Sequence, residues 1–164
     1  MSDAFDAAVA AVLVHEGGLH EDPADPGGLT NWGFALKENA DLTADGLRAM
    51  TRADAVARYR KEWWERYGFE RLPPAVAVKL FDLAVPIGPA SAFRALQRAC
   101  WAAGSKVAED GRLGVETAAA ARALPEAVLL ATLKSELAAH FRTLVAVDPR
   151  KHRFLAGWLQ RAYG

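Results

Sequence analysis

The feature that most constrains the fold is the abrupt end of an amphipathic helix at Glu16. Val9, Val12 and Glu16 recur at helical spacing, and two glycines follow Glu16 at once. Because glycine readily takes the left-handed conformation that ends helices, the pattern predicts a first helix over about residues 3–16. Residues 19–42 are rich in Pro, Gly, Asp and Asn, which predicts a long structured loop with a short hairpin around "LTNWGFAL".

From Thr43 onward the sequence is helical in pattern almost to its last residue. Thr51 and Asp54 have the spacing of a capping box, and Pro125 opens a long amphipathic helix. An almost wholly apolar helix in between contains Asp82, for which we expect a structural partner such as an arginine or a helix end, because a buried aspartate must be hydrogen-bonded. The predicted fold is mainly α, and α+β at most through the short hairpin.

Length and composition indicate one globular domain. The chain has 164 residues, of which 52% are hydrophobic and 24% charged, enough to bury a core without disulfides or metals. We expect a single domain over 1–164, with an N-terminal catalytic portion over 1–72 and a helical C-terminal lobe over 73–164. Cys100 is the only cysteine, so no intrachain disulfide is possible, and its apolar helical surroundings indicate a core residue.

The charges balance overall but are unevenly distributed. Twenty basic and twenty acidic side chains cancel, which argues against a nucleic-acid partner. Residues 1–60 carry ten acidic and five basic groups, net −5, and residues 61–164 carry ten acidic and fifteen basic, net +5. The opening "MSDAFDAAVAAVLV" has no basic n-region and an apolar run too short to span a bilayer, so we expect synthesis in the cytoplasm without a signal peptide and no stable membrane insertion.

Glu16 has the position of a catalytic acid. Its side chain shares a face with apolar residues and lies at the negative end of the helix dipole, and both effects are expected to raise its pKa. A carboxylic acid that keeps its proton near neutral pH can protonate a glycosidic oxygen. An exposed glutamate whose methylenes cover the edge of the core is the alternative that periodicity leaves open.

Two neighbouring motifs bear on the chemistry. Asp25 follows Glu16 by nine positions, so a loop folding back would place two carboxylates across a cleft, as glycoside hydrolysis requires, although Asp-Pro is also common turn chemistry. "HEGGLH" differs from the zinc motif H-E-x-x-H, because its histidines are five residues apart across two glycines. No metal and no cofactor are therefore predicted.

The same residues resemble a known family. "HEGGLHEDPADPGGLTNWGF" is similar to the signature of glycoside hydrolase family 108, bacterial and phage N-acetylmuramidases with the approximate pattern E-G-G-Y followed by D-P-x-D-x-G-G-x-T-x-x-G-I. The resemblance continues through "YRKEWWERYGFERLPPAVAVKLFDLAVPIGP" and "AFRALQRA". "VAEDGRLGVET" is similar to the D-G-x-x-G-x-x-T stretch of the family's C-terminal half, a predicted peptidoglycan-binding segment.

The resemblance implies a lysozyme-like fold and hydrolysis of the β-1,4 bond between N-acetylmuramic acid and N-acetylglucosamine. By position, Glu16 would be the catalytic acid, with Asp25 and Thr30 as its partners across the cleft. Thr30 comes one residue earlier than in the E-x8-D-x5-T pattern of phage-type lysozymes. Asn31 would hydrogen-bond sugar substituents and Trp32 would stack on a sugar ring, core packing being the equally open role for Trp32.

The family pattern is not matched everywhere. Leu19 replaces the usual aromatic residue, Phe34 the usual isoleucine and Pro86 the usual asparagine, and none of these changes removes the acid. Two other functions stay open: a peptidoglycan-binding or secretion-activating protein that cleaves poorly, and a lytic transglycosylase. The implied partner is the peptidoglycan glycan strand, and we expect the protein to act on it in the periplasm as a monomer. A holin, a secretion system or lysis would deliver the protein to the periplasm. It would be a phage or prophage endolysin or a host protein.

Overall fold

The computed structural model describes residues 4–21 and 28–164. Within these residues the fold is mainly α, with a small antiparallel sheet after the first helix, as predicted. The α-helices, in chain order, are α1 (Ala4–Glu16), α2 (Ala44–Ala49), α3 (Arg52–Tyr59), α4 (Pro74–Ile87), α5 (Pro89–Ala102), α6 (Val115–Ala123), α7 (Glu126–Val147) and α8 (His152–Tyr163). Short 3-10 turns cover Leu36–Glu38, Phe69–Arg71 and Pro149–Lys151.

The sheet is a three-stranded meander in which β2 is central. Its strands are β1 (His20–Glu21), β2 (Leu29–Asn31) and β3 (Phe34–Ala35). Asn31 pairs with Phe34, so a two-residue turn, Trp32 and Gly33, joins β2 to β3. Both turn residues have positive φ, 53° and 86°, as in the turns that match the twist of a hairpin.

The core joins the first helix to the helical C-terminal part through α4. One face of α1 is buried against α4, and α4 in turn packs against α5 and α7. Aromatic rings fill the centre: Phe81 of α4 lies 5.2 Å from Phe69 and 5.5 Å from Trp64, ring centre to ring centre. Since α4 contacts both parts of the chain, the division at residues 72 and 73 stays a prediction.

The helix predicted to run through "TRADAVARYRKEWWERY" begins as expected and changes its winding halfway. Thr51 and Asp54 form the predicted capping box, which starts α3. From Arg60 to Glu65 the backbone is π-helical, a wider winding that is found disproportionately at functional sites. The aromatic face survives this change, because the Tyr59 and Trp63 rings lie 6.4 Å apart and the Trp63 and Tyr67 rings 6.0 Å apart.

A buried glutamine organises the loop between α5 and α6. The Gln97 side chain of α5 donates to Asp110 Oδ1 at 2.7 Å and to the Arg112 carbonyl at 3.0 Å. Its own carbonyl oxygen accepts from the Gly111 backbone N–H at 3.0 Å. The "DGRLGVET" segment is therefore folded around one fully buried amide, which also contacts Thr117 at the start of α6.

No helix in the described ranges combines the length and the apolar character needed to cross a bilayer. The longest of them, α7, buries a stripe with mostly four-residue spacing, Leu129, Leu133, Leu137 and Phe141, and presents polar residues elsewhere. α7 packs mainly against α5 and α8 and also contacts α4 and α6.

Cys100 is fully buried in α5, and burial raises the pKa of its thiol to about 11. At pH 8 roughly a thousandth of the thiol would be ionised, and the side chain is shielded from solvent. We expect a thiol-specific reagent at pH 8 to leave the folded protein unmodified and to label it stoichiometrically in guanidinium chloride. Labelling of the folded protein at the rate of the denatured chain would contradict this assignment.

Candidate active site

Glu16 is the last residue of α1 and lies at the edge of the helix's buried face. Val12 and Leu13 beneath it are buried, whereas 23% of the Glu16 side chain is exposed. Gly17 ends the helix with φ 64°, the left-handed conformation that the sequence predicted for it. The carboxylate is therefore neither deeply enclosed nor a freely solvated surface group.

The partner of Glu16 comes from the other end of the chain. Two nitrogens of the Arg161 guanidinium, Nη1 and Nη2, each donate to Glu16 Oε1 at 3.3 Å. Arg161 belongs to α8, and only 13% of its side chain is exposed. A half-buried ion pair thus joins the last turn of the first helix to the last turn of the eighth.

Arg161 is held more tightly by a second carboxylate, Asp82 of α4. Arg161 donates to Asp82 Oδ1 from Nε at 3.1 Å and from Nη2 at 2.9 Å, and to the Asp82 carbonyl at 3.0 Å. The Asp82 side chain is 4% exposed. The expectation of an arginine partner for this buried aspartate is confirmed. Since Glu16 shares that arginine, the structural pair also forms part of the candidate site.

Two lysines fix the end of α8 that carries Arg161. Lys79 Nζ donates to the Arg161 carbonyl at 2.9 Å and lies 3.8 Å from Asp82 Oδ2. Lys134 Nζ donates to the carbonyls of Tyr163 and Gly164 at 2.9 and 3.2 Å. Cations at a helix C-terminus satisfy its free carbonyls and its dipole. Desolvation lowers the pKa of Lys79, and the Asp82 charge opposes that shift.

The hairpin turn of the sheet lies directly against Glu16. A Cβ built on Gly33 would come within 3.1 Å of Glu16 Cβ and Cγ and would collide with the Tyr59 hydroxyl. Gly33 therefore allows the backbone to approach the glutamate side chain. Trp32, the preceding residue, has φ 53°, a conformation that is costly for a bulky residue and that persists only where the surroundings enforce it.

Tyr59 packs between the turn and the core. Its hydroxyl donates to the Trp32 carbonyl at 3.1 Å. Burial, and then the negative charge of Glu16, raise the pKa of this hydroxyl well above its ordinary value, while Arg161 acts in the opposite direction. Tyr59 is therefore a fixed hydrogen-bond donor beside Glu16 at neutral pH.

The remaining predicted site residues lie along the same hairpin. Thr30 is the middle residue of β2, partly exposed, and pairs with His20 on one side and Ala35 on the other. Asn31 points to the opposite, buried face and donates to the carbonyls of Leu47 and Met50 at 2.9 and 3.2 Å. Its amide thus holds the hairpin to the end of α2, and its role toward substrate stays a prediction.

Trp32 is anchored and partly exposed. Its indole N–H donates to the Met50 carbonyl at 3.0 Å, and the side chain packs against the core. The structure brings Trp32, through Gly33, next to Glu16. Asp25, the predicted second carboxylate, lies outside the described residues.

Metal binding receives no support from the described part of the chain. In residues 4–21 and 28–164, no three His, Cys, Asp or Glu side chains are grouped so as to hold an ion. His15 and His20, which flank Glu16 in sequence, are both exposed.

A cavity of about 910 Å³ lies beside the Glu16–Arg161 pair, between α1, α4, α7 and α8. Arg161, Asp82 and Lys79 line it, but Glu16 does not. Glu16 faces the hairpin turn and not this cavity.

Sequence reasoning did not identify Arg161, Tyr59 or Gly33 as parts of the site. The apolar surroundings of Asp82 predicted a structural partner, but residues 61–164 hold fifteen basic residues from which that partner could come. The sequence predicted a hairpin around "LTNWGFAL", but it did not show that the turn, Trp32 and Gly33, would lie against Glu16.

Two protein-family models match the chain. Residues 9–88 match the model described as glycosyl hydrolase 108, and residues 91–163 match a predicted peptidoglycan domain. The first segment contains Glu16, the hairpin and Asp82. The chain carries a glycosyl hydrolase 108 domain over residues 9–88. It is therefore a glycoside hydrolase that acts on peptidoglycan, and Arg161 comes from the segment that matches the peptidoglycan domain.

A solved structure extends the likeness to the whole enzyme. The chain is 28% identical to the protein in "Structure of Brucella abortus SagA", with a TM-score of 0.71, covering 97% of this chain and 93% of that one. No curated protein gives a significant match. The similarity to SagA spans both family segments, so the enzyme's overall fold is shared and not only its first half.

Gly33→Ala tests the close approach of the turn to Glu16. We expect the added methyl group, at φ 86° and against Tyr59, to lower the free energy of unfolding by about 1–3 kcal/mol, measured by chemical denaturation. Gly114→Ala is the matched control, because no atom lies within 4 Å of its added methyl and its φ is −78°. Equal stabilities of the two variants would contradict the packing described above.

Arg161→Met tests the shared ion pair. Leaving Asp82 buried without its arginine is expected to cost about 3 kcal/mol of unfolding free energy. Asp82→Asn combined with Arg161→Met should lose less than the sum of the single variants, since the double variant removes both charges of the Asp82–Arg161 pair and leaves neither of them buried without the other. Additive losses in this double-mutant cycle would show that the two side chains do not stabilise one another.

Proposed function

We propose that the enzyme is an N-acetylmuramidase that hydrolyses the β-1,4 bond between N-acetylmuramic acid and N-acetylglucosamine, with Glu16 as the general acid. The observation that carries the proposal is the position of Glu16. It is a partly exposed carboxyl at a helix end, contacted by a turn that approaches it through Gly33 and held on another side by Arg161. Substrate can approach it from solvent while its orientation stays fixed.

Arg161 supports proton transfer from Glu16 to the glycosidic oxygen. As the proton leaves, negative charge develops on the Glu16 carboxylate, and the guanidinium lies 3.3 Å from Oε1 to stabilise it. Asp82 binds the same guanidinium at shorter distances, 2.9 and 3.1 Å, so Arg161 stays in place throughout the reaction. This makes Arg161 a positioning residue rather than a group that touches the substrate.

The second half of the reaction is assigned to Asp25 and Thr30. In our proposal Asp25 stabilises the oxocarbenium-like transition state or orients the attacking water, and Thr30 helps to hold that water. Carboxyl groups about 6.5–9.5 Å apart would give inversion, and about 5 Å apart retention. Asn31 and Trp32 are proposed to contact the sugar, Trp32 through the exposed part of its ring.

Glu16→Gln tests the central assignment. We expect the wild-type enzyme to clear permeabilised Gram-negative cells and to release muropeptides with reducing N-acetylmuramic acid ends, and the amide variant to lose at least about a hundredfold in rate because it has no proton to donate. Glu65→Gln, at an exposed position, is the control for a lost carboxylate elsewhere and should retain full activity.

Mass spectrometry of the products separates the competing functions. Products with 1,6-anhydro ends would identify a lytic transglycosylase. Binding to cell wall without cleavage by the wild type would identify a peptidoglycan-binding or secretion-activating protein. Clearing by Glu16→Gln at the wild-type rate would overturn the role of Glu16 in either enzyme.

We further propose that the enzyme acts as a monomer on the periplasmic wall and reaches it through a holin, a secretion system or lysis, as a phage or prophage endolysin or a secretion-linked host protein. Its substrate lies beyond the cytoplasmic membrane, so delivery is part of its function. Expression in a Gram-negative host with and without a holin tests this route, because lysis should depend on the holin.

A further inference from the structure

A second cavity lies away from Glu16 and has a cationic rim. It encloses about 330 Å³ between the end of the π-helical segment, the start of α5 and the loop held by Gln97. Aromatic and cationic side chains dominate its lining: Tyr67, Phe93, Arg66, Arg71 and Arg112. No carboxylate contributes to the lining among the described residues.

Two of the three arginines carry charge that the protein does not neutralise by contact. Arg66 and Arg112 are exposed, and neither forms an ion pair within the described part of the chain. The Arg66 guanidinium lies 5.6 Å from the centre of the Tyr67 ring, which keeps it at the rim. Asp110, beside Arg112, is the nearest acid on the loop. Its carboxylate accepts from Gln97 and from the Arg112 backbone N–H, although its charge also acts on the Arg112 guanidinium.

Arg71, the third arginine of the lining, has a structural role. It donates to the carbonyls of Gly68, Tyr67 and Leu113 at 3.2, 3.1 and 2.5 Å and so joins the turn after the π-helical segment to the loop. The loop itself is fixed by the buried amide of Gln97 and by Gly111, which has φ 74°. The two exposed arginines are therefore mounted on a rigid, preformed wall.

A row of aromatic rings connects this cavity to the candidate active site. Tyr59 lies against the Gly33 turn beside Glu16, and Trp63, Tyr67 and Phe93 follow at ring separations of 6.4, 6.0 and 5.7 Å. Trp63 and Tyr67 are partly exposed. Tyr59 and Phe93 are buried, so only the partly exposed Trp63 and Tyr67 rings lie where a polymer that extends from Glu16 toward the arginines could contact them.

We propose that the cavity binds the free carboxylates of the peptide stems carried by peptidoglycan. The guanidinium fork matches a carboxylate in shape and charge, and the apolar floor suits the small side chains of a short peptide. The stems are attached to N-acetylmuramic acid, the sugar beside the bond proposed to be cleaved. The net charge of +5 on residues 61–164 favours the same polyanionic ligand. The inference rests on the proposed function and adds to it a preference for peptide-bearing strands.

The test compares two forms of one substrate. Purified sacculi are used intact, or after an amidase has removed the peptide stems from the glycan. The variant Arg66→Gln/Arg112→Gln is expected to lose roughly tenfold in kcat/KM on the intact sacculi, mostly through KM, and to keep the wild-type rate on the stripped glycan. Raising the salt concentration should reduce the wild-type advantage on intact sacculi.

Arg142→Gln is the matched control, because Arg142 is exposed on α7 and does not line the cavity. It should behave as wild type on both substrates. Thermal unfolding of all variants checks that the fold is unchanged, and Arg71 is left intact because it joins backbone segments.

A binding measurement separates the two proposals. In the Glu16→Gln background, the arginine variants should bind intact sacculi more weakly than the parent and stripped glycan equally well. Equal losses on both substrates would reassign the arginines to the glycan, and no loss on either would leave the cavity without a role in recognition. Failure of the wild type to cleave any sacculus would overturn the proposed function, while the binding result would still decide the role of the cavity.

Discussion

One guanidinium connects the first helix, the central helix and the last helix of this fold. Arg161 contacts the Glu16 carboxylate, the Asp82 carboxylate and the Asp82 carbonyl with the nitrogens of a single side chain. The Asp82 contacts are the shorter ones and the Asp82 side chain is almost fully buried, so they decide where the arginine lies. The orientation of the candidate acid is then a consequence of how α4 and α8 pack.

The environment of Glu16 is built from features that are individually costly. Trp32 holds a left-handed backbone conformation, Asp82 and Arg161 are largely removed from water, and Lys79 is desolvated enough to lower its pKa. Each feature is compensated by a neighbour, since Tyr59 and Met50 hold Trp32 and the α8 carbonyls occupy the lysines. Strain and buried charge concentrated around one carboxylate are typical of a functional site rather than of an ordinary helix end.

Sequence reasoning was strongest where the physics is local. The helix that ends at Gly17, the capping box of Thr51 and the helical pattern after residue 43 follow from nearest-neighbour chemistry, and the structure agrees. The need of Asp82 for a cation could also be read from its apolar neighbours. The identity of that cation could not be predicted, because Arg161 is 79 residues away in sequence and residues 61–164 contain fourteen other basic residues.

Other parts of the site could not be predicted from the periodicity of the sequence, for similar reasons. The anchoring of Asn31 on α2 depends on tertiary packing that no spacing rule encodes. The π-helical turn at Arg60 leaves the aromatic pattern of Tyr59, Trp63 and Tyr67 intact, so the sequence gives no sign of it. The second carboxylate, Asp25, was inferred from spacing and family likeness, and it remains a prediction.

The distance in sequence between Glu16 and Arg161, 145 residues, has a consequence for how the enzyme matures. During synthesis the glutamate leaves the ribosome early, while its arginine follows only after nearly all of the other helices have been made. A nascent or truncated chain that lacks α8 has the acid without its electrostatic support and with Asp82 unpaired. The candidate acid therefore gains its arginine only once α8 has docked, so a partly folded chain without docked α8 holds Glu16 without that cation.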